Sequence, residues 1–174
     1  MSTELVTKRL RLAPLRETDR DALLALLSDP EVGKTYMVPE LCTREQQDAV
    51  FSHLYRISRA KDRFFCGVYR EARLIGLIHE VEKEGSSMEL GYVIATSEKG
   101  RGYASEALRA AIAYLFSIGW ETIRAAAFAE NAASMRVMEK CGMTRTGHTE
   151  TITYREQEHT CIEYEISSAQ GLTD

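Results

Sequence analysis

The chain has 174 residues, 44% of them hydrophobic and 28% charged, with a formal net charge of −4 at pH 7. That length suits one domain with a sizeable core of its own. The acidic balance argues against general nucleic-acid binding, which favours a basic patch, and leaves room for a cationic partner such as an amine. No apolar run approaches the ~20 residues of a membrane span. The four cysteines, Cys42, Cys66, Cys141 and Cys161, have no metal-site spacing. With no signal peptide they read as reduced thiols of a cytoplasmic protein. Internal repeats, low-complexity segments and linkers are absent from the sequence.

Arg9 to Leu15 alternates Leu10 and Leu12 with polar partners, a first strand ended by Pro14. Thr18 or Asp19 can cap a helix with Leu23, Leu24, Leu26 and Leu27 on its apolar face, stopped by Ser28-Asp29-Pro30. Gly33 to Leu41 has no period and reads as a loop. Thr43 followed by Gln46 is a capping box opening a second helix with Val50, Leu54 and Ile57 along one side. Phe64 to Tyr69, Leu74 to Val81 and Met88 to Ile94 follow as an antiparallel meander. Ala104, Leu108, Ala111, Ile112, Leu115 and Phe116 then mark a long amphipathic helix closed near Gly119. Thr122 to Ala129 is a short buried strand leading to a helix at Asn131. Met143 to Tyr154 and Cys161 to Ile166 form a last pair of strands, joined by polar Arg155 to His159. The consistent architecture is a mixed sheet with helices on both faces.

The chain is organised around Lys99-Gly100-Arg101-Gly102-Tyr103-Ala104-Ser105, between the strand ending at Ile94 and the long helix. The first N–H groups of a helix have no intrahelical partners, and the dipole's positive end points outward there. Two glycines permit close approach, and Lys99 and Arg101 add charge. This is the chemistry of a pyrophosphate cradle, although a plain helix-entry loop with a basic rim has the same composition. It is neither a P-loop nor the three-glycine dinucleotide fingerprint.

A second stretch, Asn131-Ala-Ala-Ser134-Met-Arg-Val137-Met-Glu139-Lys140-Cys-Gly142, decides between those readings. Together with Lys99-x-x-Gly102-x-Ala104 it resembles the GNAT N-acetyltransferase superfamily. Glu89-Leu-Gly91-Tyr92 and Thr7-Lys-Arg9-Leu10-Arg-Leu12-x-Pro14-Leu15 are similar to the branch of ribosomal-protein N-terminal (alanine) acetyltransferases. The family usually has Gln or Arg where this chain has Lys99. The resemblance implies the acyl-CoA acyltransferase fold of that superfamily, an α/β (α+β) domain over 7–167 with a tail at 168–174. Its sheet is expected to be mixed, mostly antiparallel and seven-stranded, with about four helices around it. It also implies acetyl-CoA as cosubstrate and no metal. Main-chain groups around Val93 and Ile94 would pair with the pantetheine arm, and an N–H near Val93 would steady an oxyanion. The amides from Gly100 to Ala104 would bind the pyrophosphate, with Lys99, Arg101 and Ser105 completing the loop, and Asn131 would hold the pantetheine arm. The loop before the second helix, with Tyr36 and Met37, borders the acceptor pocket in that family; simple core contact is the competing account of this pair.

An amine must lose a proton before it attacks a thioester, since an α-amine has a pKa of about 8 and a lysine about 10. Glu89, on the strand entering the loop, is the candidate base; the alternative is a sheet-edge glutamate in a salt bridge. The resemblance implies Ser134 as the donor to the leaving thiolate, and the alternative is a helix serine bonding back to a carbonyl. Relatives in the superfamily carry a tyrosine acid where this chain has Met138. Cys141 reads as a small buried apolar residue. His53, His79, His148 and His159 have no ligand spacing; His79 reads as packed or solvated, with facing the acceptor as its other reading.

The expected activity is direct acetyl transfer to a primary amine, with a protein N-terminal α-amine as favoured acceptor. The rival acceptors are small amines such as a polyamine, an amino acid or an aminoglycoside. A non-catalytic CoA sensor and a nucleotide binder are the rivals from other classes. The expected oligomeric state is monomer or homodimer, without nucleic-acid or membrane partners.

Overall fold

Short alternating runs become strands here and the longer periodic runs become helices. The structure, a computed structural model, describes residues 4–169. In chain order the elements are β1 (Leu5–Val6), β2 (Arg11–Ala13), α1 (Arg20–Ser28), α2 (Arg44–Ile57), β3 (Phe65–Arg70), β4 (Arg73–Glu84) and β5 (Ser87–Ile94). They continue as α3 (Tyr103–Ser117), β6 (Thr122–Phe128), α4 (Ala132–Lys140), β7 (Thr144–Tyr154) and β8 (Gln157–Ser167). The strands hydrogen-bond in the order β1-β2-β3-β4-β5-β6-β8-β7. The fold class matches the expectation, with eight strands in place of seven. The extra strand is β1, whose two residues pair with Leu12 and Arg11 and are too few to display a period.

By its contacts the chain forms two compact units: the residues up to His79 with Tyr92–Ala107, and Glu80–Gly91 with Leu108 onward. The first unit buries Leu15, Leu23, Leu26, Leu27, Phe65, Leu74, Leu77 and Val93 in one cluster. Val50, Phe51, Leu54 and Ile57 of α2 lie against it. The expected capping box opens α2: the Gln46 amide donates to Thr43 Oγ1 at 3.2 Å, and the Thr43 amide donates to Gln46 Oε1 at 2.9 Å. Asp19 behaves differently. A 3-10 turn (Glu17–Asp19) precedes α1, and Asp19 makes no side-chain cap bond to that helix. Its carboxylate is buried and accepts from the Arg16 amide at 2.7 Å and the Tyr69 hydroxyl at 2.5 Å. A buried carboxylate needs donors, and a distant phenol supplies one here.

In the second unit β6 from Thr122 to Ala127 and β8 from Cys161 to Ser167 alternate. Ile123, Ala125, Ala127, Ile162, Tyr164 and Ile166 are buried on one side, which leaves Arg124, Cys161, Glu163 and Glu165 on the other. β5 pairs parallel with β6, Ser87–Glu89 opposite Thr122–Arg124; a parallel pair needs a crossover, which α3 provides. The last hairpin is tighter than its sequence implied. Strand β8 starts at Gln157, opposite Tyr154, so the turn is only Arg155-Glu156, at φ +50° and +62°. Such two-residue turns favour Asn-Gly, and the absence of that signal hid this one.

Candidate active site

The cradle lies in the first unit. Strand β5 ends at Ile94, the Ala95 amide donates to the Ile75 carbonyl at 2.8 Å, and a single 3-10 turn (Thr96–Glu98) leads into the loop. Gly76 is the floor under this exit. A Cβ there would collide with the Val93 carbonyl oxygen and sit 2.7 Å from Ile94 Cδ1. Gly100 and Gly102 both have positive φ, +77° and +80°, a region that costs other residues about 1–2 kcal/mol. Their first role is therefore conformational: an added Cβ at Gly100 meets nothing within 4 Å, and one at Gly102 meets only Arg9 Nη2, at 3.4 Å. No described backbone carbonyl accepts from the amides of Gly100, Arg101, Gly102, Tyr103 or Ala104. That row of amides at the entrance of a 15-residue helix fits an anionic group. Lys99, Gly100, Arg101 and Gly102 are exposed, and Tyr103 and Ser105 are buried.

Two anchors hold this loop. Glu98, 3% exposed, sits among three guanidiniums: Arg70 at 3.4 Å, Arg101 at 3.5 Å, and Arg73. Arg101 thus spends charge on Glu98 as well as facing solvent. The second anchor is Arg9, which donates to Glu106 Oε2 at 2.6 Å and to the Arg101 carbonyl at 2.9 Å, and lies over the Tyr103 ring at 4.7 Å. Burial opposes charge on Glu106, but hydrogen bonds from the Thr7 hydroxyl and from Arg9 outweigh it and hold this carboxyl below its usual range. A legible signal existed for Arg9, in the Thr7-Lys-Arg9-Leu10 stretch. Glu98 carried none, because four charged residues near a glycine loop look like solvated surface.

Glu89, Asn131 and Ser134 belong to the second unit. Glu89 is half-buried, and among the described residues its carboxylate makes no hydrogen bond or ion pair. The salt-bridged alternative is therefore not what the structure contains. Burial pushes its carboxyl above the usual range; Arg124 pulls it back, while Glu163, Glu82 and Glu150 push the same way as burial. Asn131 caps α4: its side-chain oxygen accepts from the Ser134 amide at 3.1 Å. This fixes Ser134 on the first turn and leaves the Asn131 amide nitrogen as the group available to a ligand. Met138 is fully buried.

His79 is packed, stacked on Phe65 at 5.3 Å with its Nε2 2.6 Å from the Tyr36 hydroxyl. The four cysteines form no disulfide; burial pushes the Cys66 thiol up to about 12 and that of Cys141 to about 11, which disfavours the thiolate a nucleophile needs. Among the described residues no three His, Cys, Asp or Glu gather as a metal site, and no helix is long and apolar enough to cross a membrane.

Known proteins are similar to this chain. Residues 9–144 match the family model described as an acetyltransferase (GNAT) domain. The chain is 30% identical over 148 residues to YoaA of Bacillus subtilis (strain 168), described as an uncharacterized N-acetyltransferase, spanning 82% of this chain and 84% of that one. A GNAT-family acetyltransferase from Bacillus anthracis superposes with a TM-score of 0.82 at 26% identity, over 96% of this chain and 99% of that one. The fold is also that of RimL, a ribosomal alpha-N-protein acetyltransferase solved with coenzyme A (TM-score 0.80, 18% identity, 95% and 98% coverage). A glycine-bearing row of amides with no backbone partner among the described residues, at a helix entrance in a chain matched over most of its length, carries one conclusion: this protein belongs to the GNAT acetyltransferase family and is an acetyl-CoA-dependent acyltransferase.

Proposed function

We propose that the protein transfers the acetyl group of acetyl-CoA directly to a protein N-terminal α-amine, with Glu89 as the base. The observation that carries this reading is the half-buried Glu89 carboxylate, unpaired among the described residues, on the strand that runs into the cradle. An unpaired carboxylate raised by burial is a better proton acceptor than a solvated one. Acetyl-CoA supplies an activated acyl carbon. The ammonium acceptor gives one proton to Glu89; attack by the neutral amine then forms the N–C bond, and the C–S bond breaks as the nitrogen's second proton passes to the departing sulfur, leaving the amide and the CoA thiol. The amides from Gly100 to Ala104 hold the pyrophosphate, with Lys99 and Arg101 on its rim, Tyr103 and Ser105 buried behind it, and main chain at Val93 and Ile94 beside the pantetheine arm. The Asn131 amide nitrogen donates to that arm, and the Ser134 hydroxyl donates to the leaving sulfur.

The α-amine acceptor is supported by the motif resemblance and by the name of one structural neighbour. Mass spectrometry of peptides incubated with acetyl-CoA tests it. A peptide with a free α-amine should gain one acetyl group at its N-terminus, while an N-terminally blocked peptide with internal lysine should gain none. Acetylation of small amines alone would overturn the acceptor and leave the chemistry standing.

A further inference from the structure

The face of the second unit that carries Glu89 is crowded with charge. Glu89 and Arg124 are register partners across β5 and β6, so their side chains leave the same face of neighbouring strands about 4.8 Å apart. Arg124 has Glu163 of β8 at 3.6 Å, and Glu84 and Glu82 of β4 at 3.8 and 3.9 Å. These are ion-pair distances without a hydrogen bond. The Arg124 Nε and Nη2 atoms are buried and have no hydrogen-bond partner among the described residues. Glu150 of β7 faces Cys161 of β8 in register on this side. Glu89 therefore looks out at carboxylates from β4, β7 and β8, and at one guanidinium on β6.

We propose that Arg124 is the positioning residue of Glu89: its charge keeps that carboxylate ionised among Glu82, Glu84, Glu150 and Glu163, ready to accept a proton. Withdrawing a carboxylate from water disfavours its charge, and like charges nearby disfavour it further. A cation held at the adjacent strand position opposes both. Because the guanidinium is committed to no single partner by a hydrogen bond, its charge acts on the whole acidic face, including Glu89, which among the described residues has no ion pair of its own. The consequence for turnover rests on the reading of Glu89 as base.

The test follows Glu89 directly. Carboxyl-carbon NMR titration of glutamate-labelled protein identifies Glu89 as the resonance missing from Glu89→Gln, and the pH profile of kcat/KM is measured beside it. In Arg124→Gln the Glu89 titration should move to higher pH, and in Arg124→Lys it should return towards the parent. Glu163→Gln should move it to lower pH, an opposite sign that a general loosening of the fold does not produce. If Arg124→Gln does not fold, Arg124→Lys and Glu163→Gln carry the test. Below the acid limb, rate should fall about tenfold for each unit of upward shift. A Glu89 titration unmoved by these variants in folded protein overturns the proposal, whatever happens to the rate. A titration that moves while the acid limb of kcat/KM stays in place supports the role of Arg124 and overturns Glu89 as the base.

Discussion

Arg9 and Glu106 stand 97 positions apart and meet at 2.6 Å, joining the turn before β2 to the first turn of α3. The same carboxylate accepts from the Thr7 hydroxyl at 2.6 Å and from the Arg9 amide at 2.9 Å. Glu106→Gln should lower stability by about 1.5–3 kcal/mol, the scale of hydrogen bonds to a charged group, measured by urea unfolding. The sign with pH follows from a folded carboxyl held below its ordinary 4.5. Its contribution is present above that value and is lost as pH falls towards the lowered one. The gap between parent and variant should therefore narrow with acidification; a constant gap would mean the charge is not what matters.

Glu89→Gln keeps the size of the side chain and removes its capacity for the proton. Turnover should fall by a factor of about 10² to 10⁴, with acetyl-CoA binding little changed and the deficit smaller at high pH, where the acceptor arrives neutral. Its stability effect has the opposite sign to that of Glu106. A folded carboxyl raised by burial binds more protons folded than unfolded, so its contribution declines as pH rises from 4.5 through the raised value. The variant should melt at or above the parent's temperature at pH 7. A variant with parental turnover, or one that melts lower and loses the cofactor, contradicts the base role.

Acetyl-CoA should bind with micromolar affinity, about −8 kcal/mol. Gly102→Val should weaken that severely, because φ +80° is strained for any L-residue and most for a β-branched one. Gly100→Ala is the internal comparison: its Cβ meets open space in the protein, so only the backbone cost of about 1–2 kcal/mol applies. Calorimetric titration reads both. A folded Gly102→Val that binds like the parent would remove the loop from the cofactor site.

Gly76→Ala adds one methyl group where the Val93 carbonyl already lies. Overpacking of this kind costs about 1–3 kcal/mol. The shift falls on the exit of β5, so acetyl-CoA affinity should drop together with thermal stability. Loss of neither would indicate that β5 yields easily at Val93.

Arg155→Asn with Glu156→Gly should stabilise the β7–β8 hairpin by about 1 kcal/mol or more, since both positions have positive φ and carry residues without preference for it. A rise in melting temperature with unchanged kcat is the expected outcome. A fall would mean that these two side chains hold contacts worth more than the strain.

Period and composition determined the element order, the Thr43–Gln46 capping box, the strand–loop–helix junction and, through two short motifs, the family. Those features are local: each is written in residues within a turn or two of each other, and the chain cannot conceal them. The tertiary structure alone decided which charges matter. Glu98 had no role in the sequence, yet it is buried among Arg70, Arg73 and Arg101. Asp19, read with Thr18 as a possible helix cap, accepts from the Arg16 amide before the 3-10 turn and from the hydroxyl of distant Tyr69. Arg124 had no role in the sequence and stands in register with Glu89. A charged side chain takes its meaning from what removes it from water and what lies opposite it, and both are set by chain segments far away in sequence.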